Sequence, residues 1–382
     1  MIWTAVEEVL AAGLEQGAAP GLVAVVGDES GIIHQTSMGV REIPSGSPMT
    51  PDTIFRVASQ TKAVNAIAVL QLVERGLLNL STPVGDILPD FDLIQVIAGW
   101  DGEVPRLRAP KTRARVHHLM THTSGLTYDV LHPLARRYLL ATGTPMPSSA
   151  KMACFASPMV VEPGTEWTYG MSADWTGRIV EAASGEKLDE YYRNHIFAPL
   201  GLEDICFDLN AQQETRLAPA YRRDASGDWI DTHFAWEPKP EFLSAGHGLF
   251  ASAADYFAIQ QVLLSGGESN GVRLLSQASV ANMLSDHMGG IPVKTMPSTV
   301  PEFSEDMHID PGATWGLDIM LTAEQLPGMR KAGSAGWAGT FNTFFWIDPQ
   351  AKLAAALYMQ TLPFFDSRAL ELSRDFERAI YA

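Results

Sequence analysis

Ile54-Phe55-Arg56-Val57-Ala58-Ser59-Gln60-Thr61-Lys62 leads into Ala63, Val64, Ala66, Ile67, Ala68, Val69, Leu70, Leu72 and Val73, and the run closes at Gly76. Its apolar residues fall on every side of a helical wheel, which describes a buried helix over 59–75 rather than an amphipathic surface one. Ser59 stands at the mouth of that helix. Lys62 follows at i+3, on the same face and within reach of the serine hydroxyl. A helix mouth also offers unpaired N–H groups and the positive end of the dipole. Serine is a weak nucleophile unless a base lies within hydrogen-bond reach and donors face the developing oxyanion. Local context leaves two readings of Ser59 open: an activated nucleophile, or a helix cap beside a snorkelling lysine.

The bare Ser-x-x-Lys pattern is weak, because it occurs three times: at Ser59, at Ser148-Ser149-Ala150-Lys151 and at Ser184-Gly185-Glu186-Lys187. Ser184 reads as a helix stop before glycine, and Ser148 as a cap in a polar, Pro-rich stretch. A Gly-x-Ser-x-Gly string at Gly267-Glu268-Ser269-Asn270-Gly271 lacks the strand–turn–helix context of a nucleophile elbow and reads as a surface turn.

Outward from the buried helix, residues 2–16 have helical spacing. Leu22 to Val26 and Ile32 to Thr36 read as a hairpin turning at 27–31. Segments 113–120, 131–141, 172–183, 187–197 and 253–265 read as helices. Thr340 to Ile347 and Lys352 to Gln360 read as a second hairpin, and Phe365 to Tyr381 as a closing helix. Strands and helices at both ends enclose a helical middle. The expected fold class is therefore α/β (α+β), with residues 1–80 and 290–382 forming one domain and 81–289 an inserted, mainly helical one.

Composition narrows the function. Lys+Arg number 27 and Asp+Glu 44, a formal charge of −17, with no basic run to meet nucleic acid or an anionic membrane. The two cysteines, Cys154 and Cys206, form no C-x-x-C pair and read as free thiols of a reducing compartment. Residues 1–17 lack the basic and apolar segments of a signal peptide, and no apolar run reaches membrane-spanning length, so a cytoplasmic location is expected. His117, His118 and His122 lack a third metal ligand at a recognisable spacing, and Gly246-His247-Gly248 lacks the third glycine of a dinucleotide loop. No cofactor and no metal are expected.

Several ordered blocks carry a family resemblance over about residues 20 to 360. The segment around Ser59 is similar to the nucleophile segment of the serine β-lactamase and penicillin-binding-protein superfamily. Leu119-Met120-Thr121-His122-Thr123-Ser124-Gly125-Leu126, Pro163-Gly164-Thr165-Glu166-Trp167-Thr168-Tyr169 and Ile196-Phe197-Ala198-Pro199-Leu200-Gly201-Leu202 resemble its class C branch, as does the stretch from Gly246 to Asp255. The resemblance implies a β-lactamase-like fold, with an antiparallel sheet flanked by helices. It aligns Tyr169 with the second-motif tyrosine, but Met171 stands where that motif has asparagine. Tyr192-Arg193-Asn194 and Lys294-Thr295-Met296 imitate the second and third motifs in the wrong context. The aligned third motif is Trp337-Ala338-Gly339-Thr340, with tryptophan in place of the lysine that would anchor a substrate carboxylate.

Those departures resemble family VIII carboxylesterases. The implied activity is hydrolysis of small to medium carboxylic esters through an acyl-enzyme on Ser59, with Lys62 and Tyr169 as the base and acid pair. The Ser59 and Thr340 amides would hold the oxyanion. Trp337, Gly339 and Tyr128 would bound the substrate pocket. The same machinery also runs β-lactamase, amidase, D-amino-acid peptidase and acyltransferase chemistry, and these are the alternatives.

Overall fold

Strands from both ends of the chain join in one eight-stranded antiparallel sheet, seen in a computed structural model that describes residues 2–382. The N-terminal part supplies β1 (Gly21–Asp28), β2 (Gly31–Glu42) and β3 (Ser47–Pro48). The C-terminal part supplies β4 (Ala313–Trp315), β5 (Met320–Thr322), β6 (Ala335–Gly339), β7 (Thr343–Asp348) and β8 (Leu353–Tyr358). The order is β4-β5-β6-β7-β8-β1-β2-β3. The two ends meet where Val23 of β1 lies opposite Tyr358 of β8. All of β1 except Asp28 is buried, as its unbroken run of apolar residues and glycines requires of a central strand.

Five helices frame the sheet and the site: α1 (Ile2–Glu15), α2 (Thr61–Glu74), α3 (Ser172–Ser184), α4 (Ala253–Leu264) and α5 (Ser367–Ile380). Neighbouring side chains of a strand point to opposite faces. On β7, Phe345 meets Tyr256 of α4 and Trp346 meets Phe376 of α5, so these two helices cover opposite faces. The amide of Gln260, inside α4, donates to the carbonyls of Trp346 and Ala355 and ties the helix to the sheet. Residues 61 to 72 of α2 are all buried. Each fully buried Val, Leu or Ile there contributes about 1.5–3 kcal/mol.

The structure differs from the sequence reading in four places. The helix expected to start at Ser59 begins as a 3₁₀ turn over Ala58–Gln60 and becomes α-helical at Thr61. Trp337 lies on its own strand, β6, opposite Phe345, because the chain reverses through residues 340–342 with Asn342 at φ +57°. The middle of the chain contains an unforeseen hairpin, Val96–Asp101 with Val104–Arg108. Its strands are mostly half-exposed or exposed, the first interrupted by Gly99 and the second by Pro105, so no alternation of apolar and polar residues marks them. Helix α4 was placed in the inserted part by the sequence reading, yet it packs on the sheet built from the two ends.

Candidate active site

Ser59 is presented by a strained turn. Ala58, directly before it, takes φ +46°, a left-handed conformation that costs a residue with a Cβ about 1–2 kcal/mol. Surrounding bonds hold the strain in place. Thr61 Oγ1 donates to the Ala58 carbonyl at 2.7 Å, Tyr256 Oη of α4 donates to the Gln60 carbonyl at 2.9 Å, and the Val57 amide donates to the Leu249 carbonyl at 3.1 Å. The end of β6 closes against the same turn. A side chain at Gly339 would collide with the Val57 carbonyl and the Thr343 hydroxyl, so only glycine lets the strand come this near. Thr340 follows and faces the same cavity as Ser59.

Lys62 is fully buried one turn inside the helix. Its Nζ lies 3.1 Å from Ser59 Oγ, 3.3 Å from Tyr128 Oη and 2.7 Å from the Gly246 carbonyl oxygen. Three oxygen partners match the three donors of one ammonium. The Nζ also sits 4.7 Å from the Tyr169 ring centroid and 5.4 Å from that of Tyr128, so two π-faces share its charge.

Tyr169 is 3% exposed and opens onto the cavity. The indole Nε1 of Trp337 donates to its hydroxyl at 2.9 Å, and Thr127 Oγ1 donates to its carbonyl at 2.9 Å. The His122 ring lies 4.6 Å away and the Trp337 ring 5.0 Å. His122 is itself buried, with Nε2 3.2 Å from Asp318 Oδ1 but out of line for a hydrogen bond. Burial pushes the His122 imidazole well below its usual value and the Asp318 carboxyl well above its own. Burial thus works against the charged form of each, and the two side chains pack behind Tyr169.

The segment 244–248 completes the site. A Cβ on Gly246 would fall 2.8 Å from Tyr128 Oη and 3.0 Å from Asp174 Oδ2, so glycine is what lets its carbonyl reach Lys62. Asp174, in the first turn of α3, accepts from the Ser244 hydroxyl at 2.6 Å and from the Gly246 amide at 3.1 Å. The Ser244 hydroxyl also lies 2.8 Å from His247 Nδ1. Burial raises the Tyr128 phenol well above its usual range, with the Asp174 charge adding to the effect, so Tyr128 stays protonated beside Lys62.

Above these groups opens a cavity of about 610 Å³. Ser59, Tyr128, Tyr169, His247 and Thr340 line it together with Val130, Leu131, Phe234, Trp236, Phe303, Met307 and Phe364. The size and the mainly apolar wall are those of a pocket that takes a drug-sized organic molecule. Trp337 was expected as a pocket wall. It is not among the residues that line the cavity, and its indole is spent on Tyr169 instead. Gly339 likewise acts through close backbone approach rather than as lining.

The other serine and tyrosine patterns lie elsewhere. Ser184 Oγ donates to the Val180 carbonyl at the end of α3. Ser148 is exposed at the cavity rim. Ser269, read as a surface turn, is buried in a two-residue hairpin and donates to Gln261 Oε1 at 2.7 Å. Tyr192 donates to Asn65 inside the core, and Lys294 pairs with Glu166 at the surface. His117 meets His287 at 3.2 Å, while His118 caps the short helix 116–120 through the Arg115 amide. Sequence reasoning missed the Asp174–Ser244–His247 chain, whose members no fixed spacing links.

The beta-lactamase family model matches residues 6–379. The chain belongs to the beta-lactamase family. Among its relatives in that family, monacolin J acid methylbutanoyltransferase from Aspergillus terreus is 33% identical, over 95% of this chain and 92% of the relative. Lovastatin esterase from Penicillium rubens is 28% identical, over 97% of this chain and 96% of the relative. Among solved structures, unliganded simvastatin synthase from Aspergillus terreus superposes with a TM-score of 0.84 at 28% identity, covering 100% of this chain and 98% of the other. The family fold and a serine hydrolase or acyltransferase type of enzyme follow from these matches. No helix among the described residues is long and apolar enough to cross a membrane.

Proposed function

We propose that the protein transfers acyl groups from carboxylic esters through an acyl-enzyme on Ser59, with water as the acceptor, and so acts as a carboxylesterase. One observation carries the reading: Ser59, Lys62, Tyr128 and Tyr169 converge at the floor of an apolar cavity, with tryptophan where a carboxylate-binding lysine would stand. Ser59 Oγ attacks the ester carbonyl, and the oxyanion forms toward the Ser59 and Thr340 amides. Lys62 has its three donors committed, so it orients Ser59 and supplies positive charge, while Tyr169, reacting as the phenolate, takes the serine proton to become the phenol and passes it to the leaving alcohol. The Trp337 indole N–H stabilises the phenol oxygen as its charge changes. Water then cleaves the acyl-enzyme. In this reading the substrate is a neutral ester, and the enzyme is of the family VIII carboxylesterase kind, acting without metal or cofactor.

A second reading, transfer of the acyl group to an alcohol, is favoured by a cavity large enough for a bulky acceptor and by the methylbutanoyltransferase relative. A panel of p-nitrophenyl esters of rising acyl length, run beside nitrocefin and with added alcohols, separates the readings. Fast ester cleavage with free acid as product supports the esterase. Ester products at millimolar alcohol would move the assignment to acyltransferase, and nitrocefin turnover above ester turnover would overturn both.

A further inference from the structure

His247 borders the same cavity as Ser59, one residue beyond the carbonyl that holds Lys62. Its hydrogen bonds fix its tautomer. Asp174 Oδ1 accepts from the Gly246 amide and from the Ser244 hydroxyl, so the single hydroxyl proton of Ser244 is directed to the carboxylate. The Ser244 oxygen is left with acceptor capacity only, and two groups fill it: the His247 amide at 3.1 Å and His247 Nδ1 at 2.8 Å. Nδ1 must therefore carry the ring proton. Nε2 then holds a free lone pair. Among the described residues it has no hydrogen-bond partner, the residue is half-buried, and the Trp236 ring, 5.0 Å away, packs beside the imidazole. Burial holds the ring down to about 4, so it stays neutral in ordinary buffers. An accepting nitrogen of this kind is rare on a wall that is mostly hydrocarbon.

We propose that His247 Nε2 positions the water that hydrolyses the acyl-enzyme and so biases the enzyme toward hydrolysis over transfer to alcohols. The inference rests on the acyl-enzyme reading above. Water has two protons. One is donated in a hydrogen bond to Nε2 and stays on the water oxygen. The other passes to the Tyr169 oxygen as the water oxygen bonds to the acyl carbon. The bond from that carbon to Ser59 Oγ then breaks, and the proton on Tyr169 returns to Ser59, leaving carboxylic acid and free enzyme. An alcohol has one O–H, which the reaction itself consumes, so it has none left to give His247. His247 touches the nucleophilic water but takes no proton.

Two amide variants separate this role from a structural one. His247→Asn keeps a donor near the Nδ1 position for Ser244 and removes the acceptor at Nε2. His247→Gln places an amide near Nε2. Acyl-enzyme formed with p-nitrophenyl butyrate is quenched at intervals and its decay followed by intact mass. Acylation is read from p-nitrophenol release with enzyme in excess, and the ratio of butyl ester to butyric acid is measured with 1-butanol present. The expected result for His247→Asn is at least tenfold slower decay in water, acylation within twofold of wild type, and a transfer-to-hydrolysis ratio raised at least fivefold. His247→Gln recovers most of the hydrolysis. Wild-type decay in His247→Asn would overturn the proposal. So would a Gln variant impaired beside a normal Asn variant, or hydrolysis and transfer falling together, since each is the mark of a purely structural residue. If the wild type itself forms no adduct on Ser59, the acyl-enzyme reading fails first, and that outcome is visible before any variant is made.

Discussion

Replacing Trp337 with phenylalanine removes one donor, the indole N–H that reaches Tyr169 Oη at 2.9 Å, and keeps most of the aromatic packing against Trp315 and Tyr169. In the proposed mechanism the phenol oxygen gains and loses a proton within each half-reaction, so the lost bond is felt in the transition state. A buried hydrogen bond to a group that carries charge contributes about 1.5–3 kcal/mol, which predicts a roughly 10- to 150-fold fall in kcat/KM for Trp337→Phe. The smaller ring also leaves a void, at a stability cost of about 1–2 kcal/mol. The assay is single-turnover p-nitrophenol release over a range of ester concentrations, with thermal melts run in parallel. The loss should fall on the limiting acylation rate, with the half-saturating ester concentration changed less than threefold, because Trp337 does not line the cavity. A variant that acylates within twofold of wild type, with a normal melt, would refute the claim that this donor serves the chemistry. A rise confined to the half-saturating concentration would return Trp337 to the role of a pocket wall.

Three further outcomes follow from the same geometry. Gly339→Ala places a methyl against the Val57 carbonyl and pushes β6 away from the nucleophile turn, so ester turnover should fall more than tenfold while the far-ultraviolet circular dichroism spectrum is retained. Ser269→Ala should leave ester kinetics unchanged and lower stability by about 1 kcal/mol through the lost bond to Gln261, which denaturant titration reads directly. His117 is held down to about 4, by burial first and by its neighbours His287 and His118 next, so between pH 6.5 and 4 the unfolded chain binds a proton there that the folded chain does not. Stability should therefore drop as pH falls through that window. His117→Asn should flatten the slope of melting temperature against pH, and an unchanged slope would count against the assignment.

The framework was legible because its physics is local. The apolar residues of α2 can be buried only as a central helix, and the short, unbroken apolar runs of β1 and β8 mark buried strands at the two ends of the chain. Ser59 and Lys62 were readable as a pair because three residues of helix bring them together. Tyr169 was not readable from spacing at all. It reaches Lys62 from more than a hundred residues away, and only the family resemblance singled it out. The role of Trp337 was misjudged because a motif gives the residue type but not where the indole nitrogen points. The Asp174–Ser244–His247 chain stayed hidden for a related reason. Asp174 sits on α3 and the others on a distant loop, and their link is a hydroxyl proton whose direction depends on two further donors. The hairpin at 96–108 is hidden because most of its residues are half-exposed or exposed and Gly99 and Pro105 interrupt its strands, so burial leaves no pattern in the sequence.

The most direct test of the central claim is to find where the acyl group goes. The enzyme is mixed with p-nitrophenyl butyrate, quenched in acid within the first turnover, digested, and the acylated peptide is sequenced by tandem mass spectrometry. A single butyryl group on Ser59, absent from Ser59→Ala, is the expected result. An adduct on any other residue, or undiminished ester turnover by Ser59→Ala, would contradict the account.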